Sequence, residues 1–403
     1  MRTASILAAG VLGLSACASN EGVTAPGPAP SAPPDDPLAT LPDALVFADG
    51  HRVTTKGEWP ARRAELLDLF AKTIYGRPLP APETSASSVV EENAAAMNGA
   101  ATLRRVTLTS TFAGRTHSFE LTLFVPHAVP KAPVFVLLST KPRSATDPTR
   151  AKKSEYWPAE DVIARGYAIA AIQADALAPD DEATYTEGVI RLFEGDAASA
   201  PRPPDATKAI GAWSWGLSRA IDHLVTDASI DAARIAVVGH SRGGKAALWA
   251  GAQDERIALT VANGSGCAGA AISRHPVGEN VALVAGVYPY WFADTFATYA
   301  NREDELPVDQ HELVALVAPR AVAIGSGSED NWADPEGEYL GLAHASSVYA
   351  LFGVAAVDPH AWPKPGASIF VAPRAYHLRP GGHELSAYDW QRYLDAADAL
   401  WRR

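Results

Sequence analysis

Residues 235–249, IAVVGHSRGGKAALW, constrain the possible folds of this chain more than any other stretch. Four apolar residues, Ile235, Ala236, Val237 and Val238, lead into Gly239-His240-Ser241-Arg242-Gly243, and a helix-forming segment over 245–252 follows at once. Strand, sharp turn and helix in direct succession is the pattern of a nucleophile elbow. Glycines two residues either side of Ser241 permit the turn that lifts its hydroxyl out of a sheet, and the helix N-terminus behind it supplies N–H groups for an oxyanion. A bare G-x-S-x-G also occurs as an ordinary glycine turn. The strand before it and the helix after it make Ser241 the candidate nucleophile.

The rest of the chain alternates around that stretch. Residues 132–138 and 167–173 (YAIAAIQ) are nearly all apolar, as strands buried on both faces are, and 257–262 and 321–324 read as further strands. Helices are expected over 59–75, 158–165 and 208–225, with a closing helix over 385–401. Segments 102–110 and 117–125 alternate in polarity and predict an antiparallel hairpin turning at Ala113-Gly114, and 368–371 reads as the final strand. Residues 175–204 are acidic and proline-bearing and are expected to form a long surface loop near the mouth of the site. Buried strands alternating with helices predict an α/β fold of the α/β-hydrolase type, a mostly parallel central sheet between two helical layers.

The N-terminus is of another kind. Arg2, an apolar run over 6–14 and Leu14-Ser15-Ala16-Cys17 resemble a bacterial lipoprotein signal peptide with Cys17 as the lipidated residue, and the run is too short to span a bilayer. Residues 18–40, rich in Pro, Ala, Ser and Gly, read as an extended tether, so 41–403 is expected to be a single catalytic domain. Ala18 and Ser19 lack the aspartate that commonly retains lipoproteins at the inner membrane, which points to the outer membrane. Cys267 is the only other cysteine, so no disulfide framework is expected. A formal charge of −12 argues against a nucleic-acid partner. No ligand-spaced cluster of His, Cys and carboxylates calls for a metal or other cofactor. Membrane contact is expected only through the anchor, and the protein is expected to be a monomer.

An α/β hydrolase places its triad in the chain order serine, acid, histidine, each at the carboxyl end of a strand. Among eleven histidines, His383 follows the last expected strand in Arg379-Pro380-Gly381-Gly382-His383, where glycines shape a loop able to carry an imidazole over Ser241. His377 is the rival, nearer the strand. Asp330 is the first aspartate after the strand at 321–324, with Glu329 and Asp334 as competitors.

These residues carry a family resemblance. The elbow Gly239-His240-Ser241-Arg242-Gly243-Gly244-Lys245, Asn263-Gly264-Ser265-Gly266 with Ser273-Arg274, Asp330-Asn331-Trp332-Ala333-Asp334-Pro335, and Gly382-His383 before Tyr388-Asp389-Trp390 resemble the glucuronoyl esterases of carbohydrate esterase family 15. The likeness runs from about Leu41 to the C-terminus. It implies hydrolysis of the ester between the glucuronic acid carboxyl of glucuronoxylan and a lignin alcohol. It further implies that Arg242 stabilises the oxyanion and that Lys245, Trp332 and Glu279 bind the uronate sugar. Many relatives carry the catalytic acid as a glutamate where this chain has Asn263 or Gly264, and a neutral amide cannot take that part. The resemblance therefore implies Asp330, the usual α/β-hydrolase position. Ser139-Thr140-Lys141-Pro142 stands where hydrolases often carry a Gly-rich oxyanion loop, which leaves the second donor open. An acetylxylan esterase or peptidase on the same fold has no use for a uronate-shaped pocket. A non-catalytic polysaccharide-binding lipoprotein has no reason to keep serine, aspartate and histidine together.

Overall fold

A computed structural model describes residues 37–402. Cys17, the apolar run before it and most of the 18–40 tether lie outside the described residues. The apolar runs become the centre of a ten-stranded sheet. Its strands are β1 (Thr84–Ala95), β2 (Ala101–Phe112), β3 (Arg115–Pro126), β4 (Ala132–Ser139), β5 (Ala168–Gln173), β6 (Ile230–His240), β7 (Ile257–Asn263), β8 (Ala321–Gly327), β9 (Ser368–Val371) and β10 (Arg374–Arg379). They lie in the order β1-β2-β3-β5-β4-β6-β7-β8-β10-β9. The six neighbouring strands β5, β4, β6, β7, β8 and β10 are mutually parallel. The hairpin β2-β3 and the edge strands β1 and β9 pair antiparallel. This is the three-layer α/β-hydrolase architecture.

Alternation along β4 shows how the layers are held. Val134, Val136 and Leu138 face one buried cluster with Trp213, Leu217 and Leu248, from helices Ala209–Leu224 and Arg242–Gln253. Phe135 and Leu137 face the other, with Val162 from helix Ala159–Ala164 and Trp390 and Leu394 from helix Ala387–Trp401. Both faces are dry, so a one-residue slip of register would move every side chain of the strand into the opposite layer. The chain leaves β4 toward β5 on one side and returns through β6 on the other. The carboxyl end of β6, where Ser241 sits, therefore lies beside the topological switch point, where open α/β sheets place their ligands.

Two expectations are corrected, and one strand was not foreseen. Residues 175–204 are not a surface loop: Leu177, Ala178, Val189, Ile190 and Leu192 are buried in the core and Val189–Glu194 is helical. The acidic and proline-bearing flanks masked that apolar insert. The final strand is β10, not 368–371, which pairs antiparallel with it as the sheet edge. RAYHLR does not look like a buried strand, but its polar side chains are all partnered: Arg374 donates to Ser346 Oγ, and His377 and Arg379 share Asp389. The outermost strand β1 went unread because every residue of it is exposed and it carries no apolar alternation.

Candidate active site

The elbow forms between β6 and helix Arg242–Gln253. Ser241 has φ +57° and ψ −129°, a strained conformation for a residue with a side chain, and it is fixed from both sides. Its N–H donates to the Asn263 carbonyl at 2.9 Å, while its own carbonyl accepts from Gly244 N–H at 2.8 Å. Glycine at 239 is required, since a Cβ there would lie 1.9 Å from the Gly243 carbonyl oxygen. The Arg242 and Gly243 N–H groups precede the first bonds back to the Ser241 carbonyl and are placed to donate to an oxyanion.

Of the two histidines left open by the sequence, His383 is half-exposed, and its Nδ1 bonds Asp330 Oδ2 at 2.6 Å. Asp330 is 4% exposed. A carboxylate accepts only, so the proton sits on Nδ1 and Nε2 keeps its lone pair. The pair rests on Gly264, φ +49°, whose missing side chain would come 3.4 Å from Asp330 Oδ2 and 3.5 Å from the His383 ring. The loop carrying His383 is tied to the end of β8: Ser328 N–H donates to the Arg379 carbonyl at 2.7 Å and Glu329 N–H to the Gly381 carbonyl at 2.9 Å. The imidazole lies against His240, the residue before Ser241, with ring centroids 4.6 Å apart.

The rivals have other partners. His377 is buried within β10, bonds Asp389 Oδ1 at 2.8 Å and has its pKa lowered by burial. Asp334 caps helix Pro335–His344 by accepting from Gly337 N–H at 2.9 Å, and it bonds His275 Nδ1 at 2.7 Å. Asn263 makes no bond to His383; its Oδ1 bonds His240 Nδ1 at 2.7 Å and its Nδ2 donates to Tyr393 Oη at 2.9 Å.

Arg242 is anchored by groups from outside the elbow. Its Nε lies 2.5 Å from Asp180 Oδ2, Nη2 donates to the Thr140 carbonyl at 3.4 Å, and the guanidinium lies 5.8 Å from the Trp291 ring centroid. Asp180 is itself held by Trp291 Nε1 at 2.8 Å and Tyr290 Oη at 3.1 Å. Lys245, one turn beyond Ser241, is 2% exposed and bonds the Glu279 carboxylate and, at 2.5 Å, the Cys267 carbonyl. Glu279 N–H in turn donates to the Trp332 carbonyl at 2.8 Å, and the Trp332 ring is 52% exposed. Lys245, Glu279 and Trp332 thus form one connected string. Lys245 and Glu279 are paired with each other and do not stand as separate free groups.

Two residues of the site's framework escaped the sequence reading. Asp180 lies among Asp181 and Glu182, with nothing in the sequence to single it out. Glu338 is fully buried on helix Pro335–His344. Its Oε1 accepts from Ser265 N–H and Oγ and from Gly266 N–H, and its Oε2 from Ser326 Oγ, which ties the loop after β7 to the end of β8. Burial raises its carboxyl to about pH 7 against those hydrogen bonds, which pull it down.

The sheet order and the strained serine at the carboxyl end of β6 define an α/β hydrolase. Comparison with known proteins narrows the class. The model of the fungal glucuronyl esterase family matches residues 109–353. A carbohydrate esterase from an unknown prokaryotic organism is 36% identical over 392 residues, covering 90% of both chains. The 4-O-methyl-glucuronoyl methylesterase 1 of Phanerochaete chrysosporium is 30% identical over 344 residues, 83% of this chain and 66% of that one. Among solved structures, a glucuronoyl esterase from Solibacter usitatus superposes with a TM-score of 0.83 at 34% identity, over 90% of this chain and 98% of that one. The chain belongs to the glucuronoyl esterases of carbohydrate esterase family 15, a family of carboxylic ester hydrolases.

Proposed function

We propose that the protein hydrolyses esters of (4-O-methyl-)glucuronic acid, the linkage joining glucuronoxylan to lignin alcohols, through a Ser241–His383–Asp330 triad. The observation that carries the reading is the string Lys245–Glu279–Trp332, which begins one helical turn from the nucleophile. An acyl group bearing polar hydroxyls and a ring face matches it, and an acetyl group does not.

In the proposed mechanism His383 Nε2 takes the Ser241 hydroxyl proton as Oγ attacks the ester carbonyl carbon. Asp330 stays ionised, holds the Nδ1–H tautomer and stabilises the imidazolium. Charge developing on the carbonyl oxygen is met by first-turn N–H groups and the Arg242 guanidinium. Collapse of the tetrahedral intermediate expels the alcohol, which receives its proton from His383. Water then repeats the sequence on the acyl-enzyme, releasing the uronic acid and free Ser241. The Lys245–Glu279 pair lies on the sugar side of the proposed site, and Trp332 offers its ring to the pyranose.

Localisation is part of the same proposal: export as a monomeric lipoprotein, lipidated at Cys17 and held at the outer membrane by the 18–40 tether. The signal-like N-terminus and the composition of the tether support it. Radiolabelled palmitate incorporation that disappears in Cys17→Ala tests it.

Turnover of benzyl glucuronate against acetylated xylan tests the substrate, with fluorophosphonate labelling of Ser241 alongside. Faster release of acetate than of benzyl alcohol would replace the uronate reading with an acetylxylan esterase. No labelling at all would leave a polysaccharide-binding scaffold.

A further inference from the structure

His240 has no part in the mechanism above, yet its surroundings are as closely specified as those of the triad. It is 2% exposed, and its ring lies between Tyr156, 6.3 Å away edge-on, and His383, 4.6 Å away with the two planes inclined at 41°. Its Nδ1 meets Asn263 Oδ1 at 2.7 Å. An amide oxygen only accepts, so that nitrogen carries the proton. Asn263 is oriented in turn by donating from Nδ2 to Tyr393 Oη. Tyr156, Asn263 and Tyr393 thus hold one imidazole in close, tilted contact with another.

Resting on the Ser241–His383–Asp330 reading, we infer that His240 is a positioning residue for the catalytic base. Its ring is the surface that sets the orientation of His383 over the nucleophile, and Asn263 fixes the orientation of that ring in turn. His383 is half-exposed and bonded to Asp330 through Nδ1 alone, so that bond leaves rotation about the Nδ1–Oδ2 direction unrestrained. The close ring contact with His240 removes that freedom. The charged and titratable groups that bear on His240 are His383, Lys141 and Asp330, with Asn263 and Tyr156 as neutral packing partners. Burial, then His383 and Lys141, push its pKa down to about 3, against Asn263 and Asp330, which raise it. A neutral ring beside His383 adds no repulsion when the imidazolium forms. A carboxylate at 263 would draw a second proton onto His240 and place a cation against it.

Purified His240→Leu, which keeps most of the volume without a ring, and His240→Phe, which keeps the ring without its nitrogens, separate the possibilities. On a glucuronate ester, His240→Leu is expected to lower kcat by about tenfold to a hundredfold, the scale of a misaligned catalytic group, with KM within about twofold. His240→Phe should recover kcat to within about threefold of wild type. The acidic limb of kcat/KM should stay in place in His240→Phe, because His240 does not titrate in that range. It should move upward in His240→Leu, where water can solvate the imidazolium. Equal kcat for His240→Leu and wild type, or Phe no better than Leu, would overturn the proposal. So would a loss confined to KM. If the Leu variant does not fold, His240→Gln replaces it as the ringless comparison, under the same criteria. Fluorophosphonate labelling of wild type keeps the two readings apart: an unlabelled wild-type Ser241 sinks the triad itself, whereas a labelled enzyme indifferent to residue 240 sinks only the role of His240.

Discussion

Arg242 and Asp180 meet at 2.5 Å between Nε and Oδ2, so the cation beside the nucleophile is fixed by a carboxylate from a segment 62 positions earlier in the chain. The pairing aims the guanidinium and leaves its charge partly offset. Arg242→Ala is expected to lower kcat by roughly a hundredfold or more, the scale of one lost oxyanion donor, with a small change in KM. Asp180→Ala should cost about tenfold, by releasing the guanidinium without deleting it. Because the two residues act as one unit, the double variant should be little worse than Arg242→Ala alone. Steady-state kinetics on a glucuronate ester measure all three, and a double variant with multiplied losses would show that Asp180 acts elsewhere.

Ser241→Ala and His383→Ala are each expected to abolish nearly all turnover, and the double variant should match them. Asp330→Asn should lower kcat by orders of magnitude with the fold intact, because an amide supports the wrong imidazole tautomer. Asp334→Asn should keep the cap of helix Pro335–His344, since an amide oxygen still accepts from Gly337 N–H, but lose the carboxylate bonded to His275 and cost stability of about 1 kcal/mol, with far less effect on kcat. His377→Ala leaves Asp389 without one partner deep under the closing helix. Its loss is therefore expected in thermal stability, with activity per folded molecule largely retained. A dead but fully stable His377→Ala would move the base assignment.

The buried pair Lys245–Glu279 makes a simple KM effect for Lys245→Ala too narrow an expectation. Their side chains are 2% and 8% exposed, so removing the ammonium strands a carboxylate with little water to solvate it. Lys245→Ala should lose about 3–5 kcal/mol of stability, the scale of breaking a buried pair, besides raising KM for uronate esters. Lys245→Met with Glu279→Gln should regain most of the stability and none of the uronate affinity. Denaturant midpoints, with KM on a glucuronate ester and on a small ester lacking the sugar, separate the two effects. An equal KM rise on both esters would make the pair structural only.

How much of this was legible in the sequence depended on how local the signal was. The elbow announces itself because Gly239, Ser241 and Gly243 satisfy a backbone requirement within five residues. The hairpin β2-β3 follows from its alternation, and β4 and β5 from their apolar runs. Strand β10 stayed hidden because its burial is offset by partners outside the strand: Asp389 bonds His377 and Arg379, and Ser346 satisfies Arg374. The role of Asp180 depends on Trp291, Tyr290 and Arg242, from three other segments, and no local pattern encodes it. Loop glycines favour His383 over His377 in the sequence, whereas the ring contact with His240 needed the sheet.

Glu338 gives the last expectation. Its carboxyl, raised from 4.5 to about 7 by burial, binds a proton more tightly in the folded chain than in the unfolded one. The stability tied to that difference is fully present below the unfolded value and is lost as pH rises through about 7. Glu338→Gln keeps the shape and removes the titration. Its carbonyl oxygen can accept from Ser265 and Gly266, and its amide can donate to Ser326 Oγ, which as a hydroxyl accepts equally well. The melting temperature of Glu338→Gln relative to wild type should therefore be higher at pH 8 than at pH 5. Glu338→Ala strands the donors of Ser265, Gly266 and Ser326 at about 1–3 kcal/mol each, so it should unfold at much lower temperature at every pH. Since the loop after β7 carries Gly264 beneath His383 and β8 leads into Asp330, the surviving fraction of Glu338→Ala should also lose kcat. If the melting difference between Glu338→Gln and wild type were flat from pH 5 to pH 8, the carboxyl would not titrate in that range, and its four hydrogen bonds would outweigh its burial.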